Sequence, residues 1–164
     1  MHSPSVWAAS VMTSLDALSR GLPDGYNLRD MEALSLVHSQ PRCSADWLQG
    51  RIDLSQSGTV RLVDRLQALG VLQRTRSGGR TVELTATPAG TRLVRKWYST
   101  VETAMTETLS GLDESERDTL VTLLARALGA VERDARTAHR TCRTCQWDRC
   151  SPTCPVEESM EAQC

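Results

Sequence analysis

The sequence predicts a mainly α-helical fold with a small β hairpin, and three stretches predict it. Residues 55–69, SQSGTVRLVDRLQAL, place their apolar side chains toward one face of a helix. Residues 71–87, VLQRTRSGGRTVELTAT, read as two short strand-like runs around Ser77-Gly78-Gly79. Beyond them come two long amphipathic helices, with apolar stripes over residues 93–112 and 120–131. The 164 residues amount to about one domain by length. They include no Phe, and only 4% are aromatic. Aliphatic helix packing must then supply the core, which suits an all-α dimer whose long helices bury surface against a partner.

In chain order, residues 5–20, SVWAASVMTSLDALSR, set Val6, Ala9, Leu15 and Leu18 near helical spacing, with Trp7 and Val11 broadening the stripe. Residues 21–25, GLPDG, break that helix. A second helix over 28–39 carries Leu28, Met31, Leu34, Leu36 and Val37, and Pro41 closes it. Ser44 is positioned to cap a short third helix through Leu48, with residues 50–54 as the turn to the next. Cys43, just before it, reads as a small buried residue. On 55–69, Val60, Val63, Leu66 and Leu69 recur at three-residue steps, with Leu62 widening the buried face. Gly70 ends that helix, as a residue that readily takes positive φ.

Thr87-Pro88 then supplies a cap and a first-turn proline for a long helix. Its stripe contains Leu93, Val94, Trp97, Val101, Met105, Leu109 and Leu112, and Gly111 stops it. Asp113-Glu114-Ser115-Glu116 is a capping box with Asp at the cap, opening a last helix striped by Leu120, Leu123, Leu124, Leu128 and Val131. Two such helices joined by a tight turn bury little alone in so small a chain. They therefore predict a dimer interface.

The polar residues point to chemistry. Ser55, Gln56, Ser57, Thr59 and Arg61 put short hydrogen-bonding groups and a cation at one helix end, which suits insertion into a DNA major groove. Arg74, Arg76 and Arg80 gather at the hairpin. Residues 51–100 hold nine Arg or Lys against three acidic residues, a local charge of +6 within a chain whose net charge is −1. A basic middle on an otherwise acidic chain marks a phosphate-facing surface. A recognition helix followed by an Arg-tipped hairpin is a winged helix-turn-helix. This divides the chain into an N-terminal dimerisation helix (1–27), a winged-helix DNA-binding region (28–90), dimerisation helices (91–138) and a tail (139–164). No apolar run nears the roughly 18 residues of a membrane span, and the N-terminus lacks a basic-then-apolar signal pattern. A soluble, cytoplasmic protein is expected.

The run LSQSGTVRLVDRLQALGVLQRTRSGGRTVELTATPAG resembles the core of the MarR family of transcription regulators. That family has a helix like STVTRLVDRLEARGLV, a wing carrying D-G-R, and Leu-Thr-x-x-Gly leading into a long helix. VRLVDRLQALGVL matches closely, whereas Gly78 stands where the family usually has Asp and Ala86-Thr87 stands for Leu-Thr. The missing Asp removes a partner that usually orients the wing arginine. The resemblance spans about residues 5–138. It implies a homodimeric repressor that binds a pseudo-palindromic operator in double-stranded DNA. It further implies release when a small ligand or redox event shifts the spacing of the two recognition helices.

The tail is a separate signal. Five of the six cysteines lie in the last 23 residues, four of them as Cys142-x2-Cys145-x4-Cys150-x3-Cys154. Four thiolates so close in sequence can close tetrahedrally on one soft metal ion. Zinc fits a knuckle-like spacing with thiolate in place of His. Cys-x3-Cys-Pro also resembles the end of ferredoxin motifs, so an iron–sulfur cluster on the same residues is the alternative. A disulfide framework is the weaker reading in a cytoplasmic chain. Arg140, Arg143 and Arg149 surround the thiols in sequence and would favour thiolate. Cys164 falls outside the motif. An enzyme is not expected: His2, His38 and His139 lie far apart in sequence, and no nucleophile motif accompanies them. The competing reading to a regulator is a metal-braced protein-interaction module that has lost DNA binding.

Overall fold

Eight α-helices and a three-stranded antiparallel sheet make up the described residues, 3–76, 82–145 and 154–160, of this computed structural model. Local capping sets where the central helices begin. Asn27 accepts the Asp30 N–H, and the Asp30 carboxylate accepts the Asn27 N–H, which closes the first turn of α2 (Leu28–Ser39). Ser44 caps α3 (Ala45–Ile52) through the Trp47 N–H, and Ser55 caps α4 (Gln56–Ala68) through the Gly58 N–H. Helix α3 runs a full turn beyond Leu48, because fully buried Ile52 continues its apolar face at i+4. The expected turn over 50–54 shrinks to residues 53–55, with Asp53 left-handed at φ 57°.

The buried face of α4 corrects the sequence reading. Thr59, Leu62, Val63 and Leu66 are buried, whereas Val60 and Leu69 are 44% and 43% exposed. Three residues advance a helix by about 300°, so a strict three-residue step drifts by about 60° each time. Positions 59, 62, 63 and 66 hold one face and Val60 rotates off it, while Leu69 is the C-cap beyond the last residue of α4.

Strands β2 (Leu72–Arg76) and β3 (Val82–Ala86) form the expected hairpin, paired from Leu72 opposite Ala86 to Arg76 opposite Val82. A two-residue strand, β1 (Cys43–Ser44), adds to the other side of β3 in the order β1-β3-β2. It is too short to carry an alternation signal. Its pairing follows from Arg42, whose φ of 67° lets its N–H donate to the Leu84 carbonyl at 2.9 Å. The hairpin tip, Ser77-Gly78-Gly79 with Arg80, lies outside the described residues.

Thr87 caps α5 (Pro88–Thr108), and its hydroxyl also donates to the Gly70 carbonyl at 2.8 Å. One turn in, Gly90 lies so close to the Val71 carbonyl that a Cβ there would collide with backbone. This contact seats the long helix on the wing. Helix α5 ends three residues before Gly111, and the Asp113–Glu116 capping box opens α6 (Glu114–Gly129) as expected.

The core lies under α2, where residues 30–37 are all buried, and draws in Leu48, Val63, Leu84, Val94 and Trp97. Helix α1 (Ser3–Arg20) packs along α5, while α6 buries none of its residues. The tail forms α7 (Ala135–Thr141), a 3-10 turn (Cys142–Thr144) and α8 (Pro155–Glu158). These pieces pack on α3, α2 and α6 respectively. Among the described residues, no helix is long and apolar enough to cross a membrane.

Candidate nucleic-acid interface

Ser55, Gln56, Ser57 and Arg61 are all exposed at the start of α4, as a groove-reading helix end requires. The Ser55 hydroxyl is engaged by the Gly58 N–H at 3.2 Å and lies 3.2 Å from the Ser57 hydroxyl, so it holds the helix end as well as facing outward. Thr59 departs from the expectation. It is 2% exposed and its hydroxyl donates to the Ser55 carbonyl at 3.1 Å, which turns it into the core. In its place the exposed face gains Val60, beside Arg61, a methyl-bearing side chain of the kind that packs on thymine. The 59-62-63-66 pattern, read with a 3.6-residue period, is the signal that identifies it.

The arginines divide by partner. Arg65 donates to both oxygens of fully buried Asp30 at 3.2 Å and to the Gly25 carbonyl at 2.7 Å, tying α4 to the start of α2. Arg74 donates to Asp64 at 2.6 Å and Gln67 at 2.9 Å, so its guanidinium is held against α4. That placement departs from the expected role at the hairpin tip, and it fixes the wing's angle on α4. Arg76 is exposed at the end of β2, and Arg80 lies outside the described residues. Arg42 pairs with Glu83 through Nε at 2.7 Å and Nη2 at 3.2 Å, which raises its pKa through the hydrogen bond and the charge.

Two depressions border the long helices. A cleft of about 230 Å³ is lined by Arg20, Lys96, Trp97 and Thr100 with the 21–24 loop. The buried indole N–H of Trp97 has no hydrogen-bond partner among the described residues. A larger groove of about 840 Å³ runs between α1, α5 and α6 and is lined by Trp7, Val11, Leu15, Met105, Leu109 and Leu124, among others. Trp7 is 57% exposed there. Neither depression was legible as a cavity in the sequence, because residues from distant segments form it.

The cysteines fall on separate supports. Cys142 and Cys145 close one 3-10 turn, with the Cys145 N–H donating to the Cys142 carbonyl at 3.0 Å. A side-chain hydrogen bond from Cys142 lowers the Cys145 thiol pKa to about 7. Cys154 stands half-buried at the start of α8, and Cys150, Arg149 and Cys164 lie outside the described residues. Among the described residues, no group of three or more His, Cys, Asp or Glu side chains comes together as a metal site. Arg140 and Arg143 turn toward Asp53 and Glu32. Cys43 is buried as expected, and burial pushes its thiol up to about 11.

Several solved structures share this architecture. A MarR-family transcriptional regulator from Rhodococcus sp. RHA1 is 23% identical and superposes with a TM-score of 0.60, over 74% of this chain and 90% of that one. The oxidised form of MarR from E. coli, 18% identical, gives a TM-score of 0.64 over 78% of this chain and 95% of that one. BpsR of Bordetella bronchiseptica, whose DNA binding is regulated by 6-hydroxynicotinic acid, is 22% identical with a TM-score of 0.58, over 76% of this chain and 96% of that one. No protein-family model matches the sequence, and no curated protein matches it. What the chain shares with these neighbours is the MarR winged-helix fold: mainly helical, with a small three-stranded antiparallel sheet.

Proposed function

We propose that this protein is a homodimeric, cytoplasmic transcription regulator of the MarR type that represses by binding a pseudo-palindromic operator. The observation that carries this reading is the exposed edge Gln56, Ser57, Val60 and Arg61 on α4, backed by a buried face that fixes its orientation. Ser55, Gln56, Ser57 and Arg61 read the major groove with Val60, while Arg76 and Arg80 hold the wing on phosphates or in the minor groove. Thr59 and Arg74 support these residues from behind. Dimerisation covers the apolar groove between α1, α5 and α6, which water would otherwise wet.

The cleft beside Trp97 is the effector site. Arg20 and Lys96 among its lining residues supply cations for a small aromatic carboxylate, the class to which the ligand of BpsR belongs. The four-thiol tail is a metal centre, Cys142, Cys145, Cys150 and Cys154 holding zinc, with an iron–sulfur cluster as the alternative. The lowered pKa of Cys145 suits it to the thiolate form that a metal takes up. Bound zinc would supply a closed, structural or sensing centre with no open position for catalysis.

A mobility-shift experiment with genomic fragments tests the regulator directly. Saturable retardation of particular fragments is expected, reversed by an aromatic carboxylate. Failure to retard any fragment would favour the interaction module instead. Metal analysis with an absorption spectrum of anaerobically purified protein tests the centre, through loss of metal in Cys→Ser variants at 142, 145, 150 and 154 but not at 43 or 164.

A further inference from the structure

Among the described residues, Cys142 and Cys145 are the cysteines that the fold sets side by side. The 3-10 turn Cys142–Thr144 follows α7 directly, and the Cys145 N–H closes it on the Cys142 carbonyl at 3.0 Å. The two thiols hydrogen-bond to each other across the turn. Cys145 is exposed, Cys142 is half-buried, and both are free thiols. Cys43, by contrast, is buried in the core, out of reach of a dissolved oxidant.

The turn is held from three directions. Arg143 lies between the two cysteines in sequence. Its Nε donates to Oε1 of Glu32 at 2.8 Å, and its Nη1 donates to the Arg140 carbonyl at 2.7 Å. The Glu32 side chain is 2% exposed and also pairs with Arg29 at 2.9 Å. From α5, the Tyr98 hydroxyl donates to the Cys145 carbonyl at 3.3 Å. The Tyr98 ring in turn stacks on buried Trp97, with centroids 5.4 Å apart. Contacts from α7, α2 and α5 thus fix the backbone that carries both thiols.

We infer that Cys142 and Cys145 form a reversible dithiol–disulfide pair, oxidised by low-molecular-weight disulfides such as glutathione disulfide, and that the oxidised turn grips α2 more firmly. The Cys145 thiolate attacks one sulfur of glutathione disulfide, which forms a mixed disulfide and expels one glutathione thiolate. The Cys142 thiolate then attacks the Cys145 sulfur, closing the protein disulfide and expelling the second glutathione thiolate. The two thiol protons pass to the two departing thiolates. The protein loses two electrons, and glutathione disulfide gains them. Exposure assigns the first attack to Cys145 and the resolving step to Cys142. That second step is intramolecular and joins groups already in contact, so it is fast. The cross-link then removes conformational freedom from the turn that presents Arg143 to Glu32. A reversible pair, unlike a structural framework, suits a reducing compartment. Neither Cys150 nor Cys154 takes part, so the pair stands or falls apart from the metal centre proposed above.

The test equilibrates the full chain with oxidised and reduced glutathione in varied ratio, in the presence of a chelator, and digests it with trypsin. Metal content, measured before the chelator is added, decides the metal centre separately. Cleavage after Arg143 parts the two cysteines, so the disulfide is read as residues 141–143 linked to residues 144–149. This linked species is expected to predominate in excess glutathione disulfide and to disappear when reduced glutathione is added. Cys142→Ser is expected to stop at glutathione attached to Cys145, and Cys145→Ser to leave Cys142 several-fold less modified. Hydrogen exchange over residues 138–145 is expected to be about tenfold slower in the oxidised chain. Glu32→Gln removes the anion that Arg143 holds and keeps both thiols. There the disulfide is expected still to form, and the slowing to shrink. Linkage of Cys145 to Cys150, Cys154 or Cys164 in place of Cys142, glutathione that stays attached in the unaltered chain, or no oxidation at all would overturn the pair. A Cys142–Cys145 disulfide that leaves exchange over residues 138–145 unchanged would overturn the tighter grip.

Discussion

Arg143, in the cysteine segment, ion-pairs at 2.8 Å with Glu32, a carboxylate buried in α2 and 111 residues earlier in the chain. The pair accounts for an otherwise anomalous helix. Eight successive residues of α2, 30–37, are buried, although only part of that run is apolar. With α5 on one side and the tail on another, the 30–37 run has no wet face left, and its charged residues must find partners inside.

Removing one member of this set has unequal consequences. Arg143→Ala is expected to destabilise the fold by about 1–3 kcal/mol, because it strands a buried charge on Arg29, its remaining partner among the described residues. Glu32→Gln, which leaves only half-exposed arginines unpaired, is expected to be milder. Urea denaturation of both variants checks the order, and Glu32→Gln as the more damaging of the two would refute the account.

Gly90→Ala tests the joint between wing and long helix. The added methyl meets the Val71 backbone rather than a side chain that can swing away. A loss of at least about 1–3 kcal/mol is expected, the range for overpacking a site that cannot relax. Gly50→Ala, where a Cβ meets nothing within 4 Å, is the control and is expected to unfold at the same temperature as the parent or slightly above it.

DNA binding separates the α4 residues. Arg61→Ala and Arg76→Ala are each expected to weaken binding to all sequences alike and to lower the salt slope by about one unit. Gln56→Ala and Val60→Ala are expected to change preference at particular base pairs. Thr59→Ala is expected to lower stability while leaving sequence preference intact, since its hydroxyl faces the Ser55 carbonyl. A base-preference change in Thr59→Ala without loss of stability would contradict its buried placement.

Assembly is tested where the groove is most exposed. Trp7→Glu places a charge on the apolar face between α1 and α6 without entering the core, as the native side chain is largely exposed. A folded monomer with much weakened DNA affinity is expected in sedimentation and titration, against a dimer for the parent. Sedimentation of the parent as a monomer at micromolar concentration would reject the dimer.

Acid should loosen α7 first. Burial and the facing Arg51 cation lower the His139 pKa below its ordinary 6.5, with the Arg140–Asp53 pair next along the same contact. A lowered folded-state value means that the unfolded segment binds the proton more readily. Docking is therefore fully present above pH 6.5 and is lost as the pH falls through the folded value. Amide exchange in residues 135–141, corrected for its intrinsic pH dependence, is expected to rise between pH 7 and 5.5. His139→Gln is expected to abolish the extra rise.

The sequence by itself determined the elements whose cause is local. The Asp113–Glu116 box, the Ser44, Ser55 and Thr87 caps, and the Pro88 first turn are short-range hydrogen-bonding devices, and each helix begins where its device lies. The hairpin and the exposure of Gln56, Ser57 and Arg61 followed from pattern for the same reason. Tertiary structure decided what pattern alone leaves degenerate. Val60 and Thr59 are neighbours in sequence, and only the angle at which α4 meets the core sends one outward and the other in. Arg74 sits among basic residues in the chain, yet Asp64 and Gln67 claim it once β2 folds back along α4. The tail shows the limit most clearly. Its cysteine spacing was legible in the sequence, but its docking on α2, α3 and α6 depends on Glu32, Asp53 and Ser159, which only folding brings to Arg143, Arg140 and Arg133. Ion pairs between residues about a hundred positions apart leave no periodic trace in a single sequence, because neither partner's neighbours need to change to accommodate the other.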